Sequence, residues 1–305
     1  MCRYAPRLVA SQANSLQNAQ NKAKDKLKCI KILSQNVQGI KKSSHIEELI
    51  HSFNRRKLFA ACLQETWRTG NEQFEQDGVR VIAAGLEEQT GRGSQGVAII
   101  LGPESLECWR AAGYELHTDF GVRVIAVPLL LNDKKNNEIG MFLISAYAPV
   151  GKDDDVIWED YFRTLNSCIA KKKAGDILLI GTDSNASIGT TKDGEYDHSP
   201  VGHFGIDYVN DSGRRFRTFL ACENLIAFTT MFKKKNYGTW IHPRSKKPHQ
   251  IDHFIGTQTS KSCVLDAEIS KQLINSDHGA ISCKVRVALK LQRRREAREK
   301  LLRLD

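Results

Sequence analysis

The chain has 305 residues, 41% of them hydrophobic and 26% charged, so it can bury a sizeable core. No apolar run approaches the roughly 20 residues that span a bilayer, and the N-terminal stretch lacks an apolar signal core, so neither a membrane-embedded nor a secreted protein is expected. Formal charge is +10 and sits at the ends: residues 1–28 carry +5 and residues 284–305 carry +6, leaving −1 for residues 29–283.

Residues 1–28, rich in Gln, Asn, Ala and Lys without periodicity, read as a disordered basic tail. A first strand, 29–36, ends on Asn36, and Gly39 turns the chain. Ser44 and Glu47 have capping-box spacing ahead of Ile46, Leu49, Ile50 and Phe53, which recur at helical period. A buried strand at 58–63 runs into Gln64-Glu65-Thr66-Trp67. Strands are expected at 78–84 and 95–101 around a Gly91-Arg92-Gly93 turn. Two longer ones, 122–131 and 139–147, flank a hairpin loop at 132–137. After the acidic 153–155, Trp158, Tyr161, Phe162, Leu165 and Ile169 form a helical apolar stripe.

The segment 177–180 reads as a short buried strand stopping at Gly181, with Asp183 and Asn185 beyond it. A polar stretch, 184–205, reads as a surface loop. A helix follows at 212–222, then strands at 225–229, 251–255, 264–269 and 280–287. From 289 onward the chain reads as a basic helix. No linker or repeat interrupts 29–287, so one domain is expected there, between the 1–28 tail and a helical 288–305 tail. Many strands with few helices and no clean βαβ alternation predict an α/β sandwich of sheets. The eight cysteines form no C-x-x-C pair and mostly lie in apolar segments, which favours a reduced intracellular setting.

The polar residues at the ends of the apolar strands are Asn36, Glu65, Tyr147, Asp183 with Asn185, Asp252 with His253, and Asp277 with His278. Each alone has a structural alternative: a cap, a surface acid, a half-buried phenol, a core histidine. Together they exceed what turn chemistry requires. Carboxylates from several strands could hold a hard divalent ion such as Mg²⁺, which would polarise a phosphoryl oxygen. A second carboxylate could deprotonate a water, and a His and a Tyr could meet the phosphate as charge develops.

Asn36-Val37-Gln38-Gly39, Gln64-Glu65-Thr66, Ser145-Ala146-Tyr147-Ala148-Pro149, Asp183-Ser184-Asn185, Gln250-Ile251-Asp252-His253 and Ser276-Asp277-His278 stand in an order that resembles the endonuclease/exonuclease/phosphatase superfamily. Within it the chain looks most like the endonuclease domain of RTE/BovB-type non-LTR (LINE) retrotransposons and the craniofacial development protein 2-like proteins. Asn210-Asp211-Ser212-Gly213 and Tyr237-Gly238-Thr239-Trp240 strengthen that likeness, which covers about 29–287.

The resemblance implies a DNase I-like, four-layer αββα sandwich and a Mg²⁺-dependent phosphodiesterase, with Mn²⁺ a possible substitute. By the same likeness Glu65 is the metal ligand, with Asn36 and Asp277 beside it. Asp183 orients the water, Asn185 and Tyr147 hold the phosphate, His278 contacts it, and Asp252 orients His278. Tyr147 stands where DNase I-like nucleases usually have His, which moves the chain toward the abasic/LINE branch. Gln38 replaces an acid of the abasic enzymes, and Val150 an Asn. Thr239 and His249 stand where those enzymes carry the aromatics that pack on an abasic sugar, which favours nicking of intact DNA over dedicated repair.

Arg214, Arg215, Lys234, Trp240, Arg244 and Lys246 are the expected DNA contacts. The expected function is a nick in one DNA strand leaving a 3′-hydroxyl, by a monomer acting in the nucleus. Arg293-Arg294-Arg295 is a weak import signal. With no reverse transcriptase following, a truncated or domesticated copy, or a fragment of a longer element, is expected. The alternatives are an abasic-site endonuclease or exonuclease, a domesticated DNA-binding protein without catalysis, and a small-phosphoester phosphatase.

Overall fold

The computed structural model describes residues 28–87, 95–132, 138–151, 154–191 and 199–287. Residues 1–27 and 288–305 of the two tails, the Gly91-Arg92-Gly93 turn, residues 133–137 of the hairpin loop and residues 192–198 of the expected 184–205 loop lie outside the described residues.

In chain order the elements are β1 (Lys28–Asn36), α1 (Ser43–Arg55), β2 (Ala60–Gln64), β3 (Asn71–Gln76), β4 (Val79–Ala84), β5 (Val97–Leu101), α2 (Pro103–Ala111), β6 (Val124–Asn132), β7 (Glu138–Tyr147), α3 (Asp155–Ile169), β8 (Ile177–Asp183), α4 (Asp211–Cys222), β9 (Leu225–Ala227), β10 (Trp240–Ile241), β11 (Pro248–His249), β12 (Asp252–Thr257), β13 (Val264–Ser270) and β14 (Ala280–Val287). They build a seven-stranded sheet ordered β13-β14-β1-β2-β5-β4-β3, a five-stranded sheet ordered β6-β7-β8-β12-β9, and a small β10-β11 ribbon.

The two large sheets meet face to face over an apolar layer that includes Ile32, Cys62, Ile99, Val127, Leu143, Leu179, Phe254 and Cys283. Ile46, Leu49, Ile50 and Phe53 of α1 cover the outer face of the larger sheet. Trp158, Tyr161 and Leu165 of α3, with Phe216, Phe219 and Leu220 of α4, cover the outer face of the smaller one. The expected helix, two sheets and helices are therefore present as four layers. Strands buried on both faces read as unbroken apolar runs, which is why β2 and β5 are buried at every position.

Two local expectations fail, and one strand is present that was not expected. The capping box does not form, because the Lys42 carbonyl already accepts from the His45 and Ile46 N–H groups. The helix therefore starts at Ser43, with Ser44 inside its first turn. The strand expected to stop at Gly181 continues to Asp183, which pairs with Tyr147 of β7 on one side and Asp252 of β12 on the other. The strand expected at 78–84 is one arm of a hairpin whose other arm, β3, alternates exposed and half-buried residues at the sheet edge.

At the start of α4, Asn210 Oδ1 accepts from Gly213 N (2.7 Å) and from Ser187 N (3.1 Å), so one amide caps the helix and fastens it to the loop after Asp183. A Cβ at Gly213 would stand 1.8 Å from Ser187 O, so only glycine lets the helix approach that loop. Asn210→Ala should lower unfolding stability by about 1–2 kcal/mol; a denaturant midpoint equal to that of the parent would show the cap to be redundant.

Candidate active site

Backbone pairing carries the strand ends past the sheets. Val37 N bonds Gln64 O (2.9 Å), Gly39 N bonds Glu65 O (2.8 Å), and Ile40 N bonds Thr66 O (2.9 Å), which sets Asn36 and Glu65 side by side. In the smaller sheet Ala148 N bonds Asp183 O (2.9 Å), and Ser184 N bonds Ile251 O (2.8 Å), which sets Tyr147, Asp183 and Asp252 side by side. Gln38, Glu65, Trp67 and Asn185 are non-glycine residues with left-handed φ of 46–56°. Such conformations cost energy and persist where surrounding contacts enforce them.

The side chains close into one array between the sheets. Asn36 Nδ2 donates to Glu65 Oε1 (2.8 Å) and to Asp183 Oδ2 (2.9 Å). The Tyr147 hydroxyl donates to Glu65 Oε1 (2.9 Å). Asn185 donates its backbone N–H to Asp183 Oδ1 (2.9 Å) and its side-chain amide to Ala148 O (2.9 Å). His278 Nδ1 lies 3.1 Å from Asp252 Oδ2 and 3.8 Å from Asp183 Oδ2. The remaining nitrogen, Nε2, faces Asp277 Oδ1 at 3.9 Å. Asp277 itself is exposed at the rim, where its Oδ2 accepts from Trp240 Nε1 (3.2 Å).

Burial works to lower the His278 pKa, but the Asp252 and Asp183 carboxylates win and hold it up at about 10. His278 is therefore an imidazolium at neutral pH. Burial raises the Asp183 carboxyl to about 7 against the opposing pull of His278. The Tyr147 hydroxyl is pushed well above its ordinary range by burial and by Glu65 and Asp183, so it acts as a donor. His253, next to Asp252, faces the other way onto Thr229 Oγ1 (2.8 Å), and burial lowers it to about 4, which makes it a neutral core residue.

One atom each from Asp183, Asp252 and His278 lie within 4.8 Å of one another, a spacing that could serve a metal ion. In the metal-free site His278 carries its proton between the two carboxylates, so a cation bound there would have to displace that proton. Glu65 and Asn36 offer carboxylate and carboxamide oxygens, with the Asp277 carboxylate across the rim. That donor chemistry suits a hard divalent cation. Glu65 Oε1 accepts from both Asn36 and Tyr147.

Trp240 lies on the β10-β11 ribbon, which is bridged to His278, their rings 6.3 Å apart. Arg244 and Lys246 are exposed in the loop of the same ribbon. Arg214 pairs with Asp211 and Arg215 with Asp155 on the flank of α4. Lys234 is held by Asp266 (2.5 Å) and Glu268 (3.3 Å) of β13.

Two supports were not anticipated. Arg123 stands over the Tyr147 ring (5.3 Å), and its only sequence signal is a charge at the mouth of an apolar strand. Gln35, inside β1, clamps the loop before Asp277, accepting from Leu273 N (2.7 Å) and donating to Ile274 O (2.7 Å). A buried amide within an apolar run was its signal.

No family model matches the chain. Craniofacial development protein 2 of Bos taurus is 27% identical over 152 residues, which cover 49% of this chain and 25% of that protein. The chain thus matches about a quarter of that relative's length. The endonuclease domain of TRAS1, a telomere-specific non-LTR retrotransposon, superimposes with a TM-score of 0.57 at 17% identity, covering 85% of this chain and 99% of that one. The AP endonuclease LMAP from Leishmania major superimposes with a TM-score of 0.60 at 13% identity, over 85% and 88% of the two chains. By fold, this chain is DNase I-like.

Proposed function

We propose that the chain is a divalent-cation-dependent phosphodiester hydrolase that nicks one strand of DNA and leaves a 3′-hydroxyl, and that it descends from a non-LTR retrotransposon. The observation that carries this reading is the one array, joined by hydrogen bonds and by the His278–Asp183 charge contact, in which Asn36, Glu65, Tyr147, Asp183, Asn185, Asp252 and His278 meet at one edge of the sandwich. Retrotransposon descent rests on the TRAS1 and craniofacial development protein 2 likenesses.

A Mg²⁺ or Mn²⁺ ion held by Glu65 with Asn36 and Asp277 would neutralise charge on the phosphate and the leaving oxygen. Asp183, positioned by Asn36 and Asn185, accepts a proton from the attacking water as the new P–O bond forms and the P–O3′ bond breaks. His278 presents Nε2–H to a non-bridging phosphate oxygen, with Asp252 fixing Nδ1. Tyr147 and Asn185 complete the phosphate contacts.

Trp240, Arg244 and Lys246 on the ribbon would lie along the duplex beside the cleaved bond, with Arg214, Arg215 and Lys234 outside them. Among the described residues no helix is long and apolar enough to cross a membrane, and action on chromosomal DNA would place the protein in the nucleus. A monomer suffices, since every proposed group comes from one chain.

The ring cluster of Trp240, His242 and His249 beside His278 keeps abasic DNA as a second substrate to test. With Mg²⁺, supercoiled plasmid should convert to the nicked form, EDTA should stop it, and the ends should be extendable by a polymerase. Cleavage confined to an oligonucleotide with one abasic site would favour a repair enzyme. Binding without cleavage of either substrate would overturn the enzyme reading.

A further inference from the structure

The contacts that join Asn36 to Asp183 and Tyr147 to Glu65 cross from one sheet to the other, so the site exists only at one relative position of the two sheets. These contacts cannot hold that position by themselves, because Glu65 and Asp183 must exchange partners when a cation, water and phosphate enter. The apolar layer beneath is non-directional and tolerates sliding. A fixed reference must therefore lie elsewhere.

It lies one step below the site. Gln64 Nε2 is 3.2 Å from each of three acceptors: Ser34 Oγ of β1 in its own sheet, and Ser145 Oγ of β7 and Gly181 O of β8 in the facing sheet. Ser145 Oγ returns a bond to Leu63 O (2.9 Å), and Ser34 Oγ reaches Gln64 Oε1 (3.4 Å). Ser34, Gln64 and Ser145 are all fully buried.

Each member stands one or two residues before a site residue on or just past its own strand: Ser34 before Asn36, Gln64 before Glu65, Ser145 before Tyr147, Gly181 before Asp183. In a strand, positions two apart share a face, so three of these pairs point into the same gap. The spacing is tight as well. A Cβ on Gly181 would stand 2.8 Å from Cys62 Cβ and 3.0 Å from Ser34 Cβ, so the backbone of β8 touches the facing sheet there.

We propose that Gln64 is a positioning residue: with Ser34, Ser145 and the Gly181 carbonyl it forms a polar bolt that sets the shear and separation of the two sheets and thereby the alignment of Asn36 and Glu65 against Tyr147 and Asp183. The inference rests on the nuclease reading. Burying an amide in an apolar layer is unfavourable unless its partners are satisfied, and a well-packed hydrophobe would serve stability as well. Direction is what the amide adds.

The test compares Gln64→Met, which keeps the length and loses the amide, with Val127→Ala, a core substitution on β6, which carries no member of the bolt. Both are assayed on plasmid well below their melting temperatures. Gln64→Met should lower kcat by about 10- to 100-fold, the range expected for a misplacement of about 1 Å, while KM for DNA stays within about threefold. Val127→Ala should lower Tm and leave kcat within about twofold.

A Gln64→Met kcat within about twofold of the parent, or a loss no larger than that of Val127→Ala, overturns the inference. If Gln64→Met does not fold, Ser145→Ala, which removes one arm of the bolt, is judged by the same kcat-against-KM criterion. A parent protein that cuts no DNA under any metal condition overturns the nuclease reading itself, and the positioning role falls with it.

Discussion

Asp183→Asn should leave the protein folded and binding DNA with unchanged affinity while nicking falls by about 10³-fold, within the range for loss of a general base. The substitution keeps the shape of the side chain and an oxygen for the Asn36 amide, which now donates to Asp183 Oδ2, at the expense of the bond that Asp183 Oδ1 accepts from Asn185 N. It removes the fully buried carboxylate that, among the described residues, lies within reach of Asn36, Asn185 and His278 together. Plasmid relaxation and fluorescence anisotropy on the same preparation separate the two quantities. Residual nicking above about a tenth of the parent rate would remove Asp183 from the proton-transfer role and return it to architecture.

His278→Gln should slow nicking by about 10²- to 10³-fold, since it deletes a charged donor aimed at the phosphate. It should also change the response to pH. In the parent, rate should rise as Asp183 loses its proton near pH 7 and fall as His278 loses its own near pH 10, both values belonging to the coupled set. The descending limb should vanish in the variant.

Stability follows the same groups. The folded-state pKa of His278, about 10, exceeds its ordinary 6.5, so its stabilisation is complete below pH 6.5 and is lost as pH climbs to about 10. Shared among coupled groups, that loss is about 2 kcal/mol. In EDTA the parent's denaturant midpoint should fall across this window and that of His278→Gln should not. A flat parent curve would mean that His278 is neutral in the folded protein.

The sites at the strand ends were legible because burial on both faces makes a strand an unbroken apolar run, so the polar residue that ends it stands out. Asn36, Glu65, Tyr147, Asp183, Asp252 and His278 all carry that signature, and the structure brings them together. Elements without it went unread. The polar alternation Asn71–Gln76 has no apolar face to announce an edge strand. The helix Pro103–Ala111 buries only Ser105, Cys108 and Trp109, too few to show a period. Gly181 looked like a stop because glycine commonly ends strands. Here it is required in mid-strand by a neighbour across the sheet gap, which local sequence does not encode. Ser34, Gln64 and Ser145 hid inside apolar runs for the same reason: their partners are supplied by tertiary contact alone.

The topology has a bearing on truncation. β1, which delivers Asn36, is an interior strand, hydrogen-bonded to β2 on one side and to β14 on the other, with Lys28 opposite Val287. The first and last described strands of the domain are thus zipped together in the middle of the larger sheet. A truncation that reaches β1 or β14 therefore removes a strand that two neighbours need. Deleting β1 or β14 splits the seven-stranded sheet instead of trimming its margin. Chains shortened by either strand should therefore be insoluble, and a chain that still folds should still carry both strands.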